Sequence, residues 1–271
     1  MNVQSLPDVT IFEGDHLRAH LMAGGRDRLI VTFDYRQQGR SGFNAKRHSS
    51  TFARGGFWQL NIQSRENDWF INPETEALEA ALAGLQGRFG RVNLLGYSMG
   101  GFGALRFARA LGADQAVLVS PQFSIAPGVV PFEMRYRAEA AGFDPDLGDL
   151  RRVAVPGLRG LILVDPFLRA DMRHARLIAR HFPGMELARL AFAGHPATRV
   201  LRSAGKAWTL HREATSVSAE RRLICAEHRA GRRGSAGYWT RLADHAERRR
   251  PALAAFARAR AAELDDATDA P

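Results

Sequence analysis

The sequence predicts an α/β fold with a mostly parallel central sheet and helices on both faces. Between residues 29 and 212, short apolar runs alternate with segments of helical period, as expected for a parallel sheet with crossover helices. The apolar runs are continuous, which is typical of strands buried on both faces. A chain of 271 residues, 45% of them hydrophobic, can bury one sizeable core, so a second domain is not required.

The individual elements follow from local patterns. An edge hairpin is predicted where two β-like segments flank the Gly-Asp pair at 14–15. A helix is predicted from Pro73, because proline followed by acidic residues is a helix start signal. Helical spacing predicts further helices from Gly101, from about Met172 and after Ala197. The predicted strands cover residues 9–12, 17–22, 29–33, 57–62, 92–95, 116–120, 160–164 and 186–192.

Two regions depart from this alternation. Residues 123–156 contain several prolines, glycines and acidic residues without a strand period, and we expect a small lid there. Arginine and alanine are abundant in residues 216–271. We expect this part to form a helical extension that is packed on, or trails, a main domain of residues 1–215.

The turn after the fifth predicted strand reads Gly96-Tyr97-Ser98-Met99-Gly100. A sharp turn from a strand into a helix strains the backbone of the serine at its centre. Side chains two residues before and after that serine would clash in the turn, and glycines at these positions remove the clashes. The same turn places the serine at the amino end of a helix, where N–H groups stabilise negative charge. Ser98 is therefore a candidate nucleophile, and the alternative is a serine that only caps the helix.

Composition limits the classes of partner. The formal charge is +10, but only Lys46 and Lys206 are lysines, and no binding module with interleaved aromatic residues is present, so nucleic acid is not the expected partner. Cys225 is the single cysteine, which excludes a disulfide framework, and no Cys/His cluster has zinc spacing. The amino terminus shows no leader pattern, and no apolar stretch approaches about 20 residues. We expect a soluble cytoplasmic protein without membrane span, metal or cofactor.

Polar side chains follow three of the predicted strands: Ser98, an aspartate within 165–171, and His195. In an open α/β sheet, the carboxyl ends of the strands form the ligand-binding edge. The order Ser, Asp, His in the segments GYSMGG, VDPFLRAD and AFAGHP resembles that of the α/β-hydrolase superfamily, over most of residues 9–212. The resemblance implies a nucleophilic serine, a histidine base and a carboxylate that orients the histidine.

Two aspartates compete for the third role. Asp165 leaves its strand directly and suits a loop carboxylate that reaches the imidazole, so we favour it. Asp171 comes just before Met172 and is the alternative acid, with a helix N-cap as its structural interpretation. His195 is the best of nine histidines because it follows a strand downstream of both aspartates, whereas His174 falls within a predicted helix.

Further residues are expected around Ser98. The backbone N–H groups of Met99, next to the nucleophile, and of Tyr35, after the first buried strand, form the expected oxyanion hole. Tyr97, Trp69 and Gln122 lie next to buried strands and are candidate substrate-binding residues, with loop packing as the alternative.

The expected function is a serine hydrolase that cleaves a carboxylic ester or thioester through an acyl-Ser98 intermediate. An acyltransferase with the same residues is the nearest alternative. A non-catalytic α/β-hydrolase-like binding protein is the other, because a fold does not fix a function. The SMGG and Ser-Pro-Gln segments also resemble bacterial hydrolase-like proteins of surface-glycan synthesis and export. That resemblance implies a glycan or small-molecule acyl ester as substrate.

Overall fold

The structure, a computed structural model, describes residues 8–46 and 48–269. The strands in these ranges are β1 (Val9–Glu13), β2 (Leu17–Met22), β3 (Leu29–Phe33), β4 (Trp58–Ser64), β5 (Val92–Tyr97), β6 (Gln115–Val119), β7 (Arg159–Val164) and β8 (Met185–Arg189). The α-helices are α1 (Ser50–Arg54), α2 (Thr75–Ala83), α3 (Met99–Leu111), α4 (Arg169–His181), α5 (Arg199–Ser203), α6 (Trp208–Thr215), α7 (Arg221–Gly231), α8 (Ala236–Ala246) and α9 (Pro251–Asp269).

The eight strands form one mostly parallel sheet in the order β1-β2-β4-β3-β5-β6-β7-β8. β2 pairs antiparallel with β1 and β4, and all other neighbouring strands pair in parallel. This architecture confirms the predicted α/β-hydrolase fold, with the antiparallel hairpin at one edge of the sheet.

Both faces of the sheet are buried, because successive side chains of a strand point to opposite faces. In β6, Leu118 belongs to a core shared with α2, α3 and α4, whereas Val117 and Val119 belong to a second core shared with α5, α6 and α7. All three side chains are fully buried. The double cover explains why this strand is a continuous apolar run in the sequence.

Some boundaries differ from the prediction. α4 begins at Arg169, ahead of the expected Met172, so Asp171 lies within its first turn. A short helix, α1, lies between β3 and β4, where no helix was predicted. Residues 123–156 form turns around one short 3-10 helix, Glu139–Gly142.

The described residues do not cover the whole of the two expected parts of the chain, and their helices bear on the question of a membrane span. Residues 1–7 of the expected main domain and residues 270–271 of the expected extension lie outside the described residues. Across residues 8–46 and 48–269, none of the helices combines the length and the apolar character that a bilayer crossing requires.

Candidate active site

The connection from β5 to α3 is a sharp turn around Ser98. Ser98 has φ 49° and ψ −117°, a conformation that residues with a side chain rarely adopt. A Cβ atom at Gly96 would overlap the carbonyl oxygen of Gly100. A Cβ atom at Gly100 would lie 2.7 Å from the carbonyl oxygen of Asp34, so glycine here lets the loop after β3 approach the start of α3.

Two successive hydrogen-bond contacts connect Ser98, His195 and Asp171. His195 Nε2 lies 3.2 Å from Ser98 Oγ, and His195 Nδ1 lies 2.7 Å from Asp171 Oδ2. An ionised carboxylate only accepts hydrogen bonds, so Nδ1 carries the proton of the neutral ring and Nε2 has a free lone pair. The imidazole is therefore oriented to accept the proton of Ser98.

The geometry reverses the preference for Asp165 as the acid. Asp165 Oδ2 accepts the N–H of Gly194 at 2.8 Å, and Oδ1 accepts those of Phe192 and Phe167 at 3.1 Å and 3.0 Å. These backbone donors direct Asp165 to the start of the loop that carries His195. The early start of α4 brings Asp171 to the imidazole instead, and Asp171 makes no side-chain cap at the helix start.

Asp171 is also held by charged residues of the 123–156 segment. Its Oδ1 forms an ion pair with Arg135 Nη1 at 2.7 Å, and Arg135 Nε donates to Glu133 Oε1 at 2.9 Å. Glu133 Oε2 lies 3.0 Å from Nε2 of His174, which is three residues after Asp171 on the same face of α4. The N–H of Phe123 donates to His174 Nδ1, so Nε2 carries the proton. We call Glu133, Arg135, Asp171 and His174 the clamp.

Burial and charge set the protonation states in the clamp. Burial alone would raise the pKa of Asp171, but the hydrogen bond and charge of His195 and the charge of Arg135 hold that pKa below its ordinary value. Burial opposes ionisation of Glu133 in the same way, and the bonds from Arg135 and His174 lower its pKa well below the ordinary value. Burial lowers the pKa of His174. The clamp therefore contains two ionised carboxylates, one arginine and one neutral imidazole.

Ser98 has two further polar neighbours. Gln122 Oε1 lies 3.2 Å from Ser98 Oγ, and its amide is oriented by the Trp69 indole N–H at 3.1 Å and by the Ser120 carbonyl at 3.0 Å. The Tyr136 hydroxyl is the second of these neighbours and lies close to Ser98. Burial raises the pKa of Tyr136, so this hydroxyl keeps its proton at neutral pH.

A cleft of about 540 Å³ opens onto Ser98 and His195. Tyr97 and Tyr35 both line this cleft, and burial raises the pKa of Tyr97 to about 12. Trp69 and Gln122 do not line it, because both are fully buried and contact Ser98 or each other from within the core. In this structure the two side chains therefore contact each other and Ser98, and not the cleft.

The segments of the expected oxyanion hole meet beside Ser98. Met99 is the first residue of α3, and the first N–H groups of a helix have no acceptor within the helix. Arg40 holds the loop of Tyr35, since Nη2 donates to the Tyr35 carbonyl at 2.8 Å and Nη1 pairs with Asp34 at 3.1 Å.

Sequence reasoning missed Glu133, Arg135, Tyr136 and His174. The first three lie in a segment without period, so no pattern indicates which side chains turn inward. The spacing of three residues between Asp171 and His174 is a signal that could have been used, because it places both on one helix face.

No protein-family model and no curated protein sequence matches the chain. Among solved structures, the capsule O-acetyltransferase of Neisseria meningitidis serogroup A is similar with a TM-score of 0.46 and 18% identity, covering 67% of this chain and 85% of that one. Est1E from Butyrivibrio proteoclasticus has a TM-score of 0.44 and 15% identity, covering 76% and 99%. An alpha/beta hydrolase enzyme from a Medee basin deep-sea metagenome library has a TM-score of 0.42 and 13% identity, covering 78% and 98%.

Proposed function

We propose that this protein is a serine hydrolase that cleaves a carboxylic ester or thioester through an acyl-Ser98 intermediate. The observation that carries the proposal is the line of contacts from Ser98 Oγ to His195 Nε2 at 3.2 Å and from His195 Nδ1 to Asp171 Oδ2 at 2.7 Å. These distances suit transfer of the serine proton to a histidine whose tautomer is fixed by a carboxylate.

In the first half-reaction, Ser98 Oγ bonds to the acyl carbon while its proton passes to His195 Nε2. Asp171 stabilises the imidazolium that forms, and the backbone N–H groups of Met99 and Tyr35 stabilise the oxyanion. The carbonyl then re-forms, the bond to the leaving group breaks, and the imidazolium protonates the departing alkoxide or thiolate.

In the second half-reaction, water replaces the leaving group. His195 Nε2 takes a proton from the water as the hydroxide attacks the acyl carbon, and the proton then passes to Ser98 Oγ as the acid departs. An alcohol in the place of water would yield a new ester by the same steps. Comparing acid with ester product in the presence of glycerol measures which acceptor the cleft favours.

The proposal is tested with a fluorophosphonate probe and with p-nitrophenyl acetate. The wild type should form a covalent adduct on the peptide that contains Ser98, seen by mass spectrometry, and Ser98→Ala should lose both labelling and turnover. Ser218→Ala, an exposed serine, is the matched control and should behave as wild type. If folded wild-type protein takes up no probe and turns over no ester, the protein is not a serine hydrolase.

A further inference from the structure

A second pocket lies at the edge of the sheet opposite the hairpin. It is lined by residues around the end of β8 and along α7, and its volume is about 350 Å³. It shares no lining residue with the catalytic cleft. Five of its lining residues are arginines: Arg189, Arg221, Arg222, Arg229 and Arg232.

Helical spacing explains why these arginines converge. Arg221, Arg229 and Arg232 lie along one face of α7 and the turn that follows it, with Cys225 between them. Arg189 comes from the end of β8, the neighbouring edge strand. Part of the arginine-rich extension thus forms one wall of a pocket.

The positive charge of this pocket is largely uncompensated. Glu186 Oε2 lies 3.5 Å from Arg221 Nε, and no ion pair to the other four arginines is found within the described residues. By contrast, Arg18 and Arg36 each have a carboxylate oxygen at 2.6 Å. Like charges gathered in one concave site create a potential that attracts anions.

A buried histidine is a second, independent observation. His228 lines the pocket and is only 3% exposed. Its Nε2 lies 3.0 Å from the Ala191 carbonyl oxygen, to which it donates, while Nδ1 has no hydrogen-bond partner among the described residues. Buried polar atoms are normally paired, so an unpaired ring nitrogen on a residue that lines a cationic pocket points to a ligand that pairs with it.

We propose that this pocket binds a small phosphate-type oxyanion, of the size of a diphosphate group, between Arg189 and the arginines of α7, with His228 Nδ1 as a further donor. Guanidinium groups match the oxygens of phosphate in a bidentate geometry. A small anion is favoured over nucleic acid, because no phenylalanine, tyrosine or tryptophan on which bases could stack lines the pocket.

The donor role of His228 requires proton uptake. Burial lowers the pKa of His228; the Ala191 carbonyl and the charge of Asp165 oppose this effect, and the charges of Arg232 and Arg241 add to it. The ring is therefore neutral in the free protein at neutral pH. A bound anion would raise the pKa of His228, so binding should strengthen as pH falls.

Titration calorimetry with pyrophosphate at fixed ionic strength tests the site. The variant Arg222→Gln/Arg229→Gln should bind at least about tenfold more weakly than wild type, because it removes two charge-assisted contacts. Arg248→Gln/Arg249→Gln removes the same charge from exposed arginines outside the pocket and should change affinity less than about twofold. Equal losses in both variants, no pyrophosphate binding by wild type, or binding of a DNA duplex alone would each overturn the proposal.

The donor role of His228 is tested with sulfate, because the charge of sulfate does not change between pH 8 and pH 6. Wild-type affinity should rise about tenfold over this range, and His228→Gln should remove that dependence while its amide can still donate to Ala191. A wild-type affinity that does not change with pH would contradict the site as proposed. If His228→Gln does not fold, the two arginine variants still decide whether the pocket binds the anion.

Discussion

Asp165 and Asp171 are both almost fully buried, and their donors give them different tasks. Asp165 accepts backbone N–H groups from the loop before His195, whereas Asp171 accepts from the imidazole itself. Because a carboxylate is an acceptor only, its role follows from the donors that reach it. The same residue type therefore has a structural part in one place and is proposed to orient the catalytic base in the other.

Substitution of each aspartate by asparagine separates these tasks. Asp171→Asn should lower kcat for ester hydrolysis by about 10³–10⁴-fold with little change in KM, because an amide can favour the wrong imidazole tautomer. Asp165→Asn should instead lower the free energy of unfolding by about 1.5–3 kcal/mol, because a charged acceptor of several N–H groups is lost. Kinetics and urea unfolding of both variants check this, and the reverse pattern would restore Asp165 as the acid.

The contacts of Glu133 in the clamp predict that the free energy of unfolding depends on pH. The folded-state pKa of Glu133 lies below its ordinary value of 4.5, so its ionised form stabilises the fold fully above that pH. This stabilisation is lost as pH falls through the depressed folded-state pKa. At pH 7, Glu133→Gln should lower the free energy of unfolding by about 2–4 kcal/mol, because a buried pairing to Arg135 is broken.

Urea unfolding between about pH 7 and pH 3 measures this effect, and the difference between wild type and Glu133→Gln should narrow below about pH 4.5. Glu247→Gln, in an exposed pair with Arg258, is the matched control and should change stability by less than about 1 kcal/mol. A difference for Glu133→Gln that stays constant over the whole range would show that its charge is not what stabilises the clamp.

At the scale of elements, the active site depends on how closely two segments approach. The start of α3 and the loop after β3 come together because Gly100 has no side chain toward the Asp34 carbonyl. Both expected oxyanion donors, Met99 and Tyr35, belong to these segments. The close approach of these two segments therefore depends on the glycine at position 100.

Gly100→Ala should separate these segments. A Cβ atom 2.7 Å from a backbone oxygen forces a shift, which should cost about 1–3 kcal/mol of stability and lower kcat by at least about tenfold. Gly128→Ala is the matched control, since a Cβ atom there meets nothing within 4 Å, and its kinetics and melting temperature should match those of wild type. Full activity of Gly100→Ala would mean that this approach does not position the oxyanion donors.

The helices and strands also show how much of the fold and of the candidate site could be predicted from the sequence. The strand before Ser98, the helix after it and the candidate His195 could be predicted from local patterns, because buried strands and a glycine-bounded turn are well marked in a sequence. The choice of acid did not, because it depends on where α4 begins, and helix starts are poorly marked without a capping side chain. The contributions of Arg135 and Tyr136 depend on an aperiodic segment, whose inward side chains are fixed only by tertiary contacts.

Across the whole molecule, distant parts of the chain converge on the loop that leads to His195. Asp165 accepts two of its N–H groups, His228 of α7 donates to the Ala191 carbonyl, and Arg241 of α8 donates to the Phe192 carbonyl. These contacts join part of the carboxyl-terminal extension, α7 and α8, to the loop that leads to His195. We propose that this extension helps to position the catalytic base.

Arg241→Met tests whether the extension positions His195. Methionine resembles the unbranched aliphatic part of the arginine side chain but lacks the N–H group that donates to the Phe192 carbonyl. The Nε···O distance of 2.7 Å indicates a strong bond, and its loss should let the loop before His195 sample more conformations. We expect kcat to fall about 3–10-fold with KM nearly unchanged, and the amides of 192–194 to exchange hydrogen faster, since a misplaced base costs proximity. Arg248→Met, at an exposed position, is the control and should leave both readouts at wild-type values. Unchanged exchange and turnover in Arg241→Met would mean that the sheet and Asp165 alone fix His195, and that the carboxyl-terminal helices have no part in the chemistry.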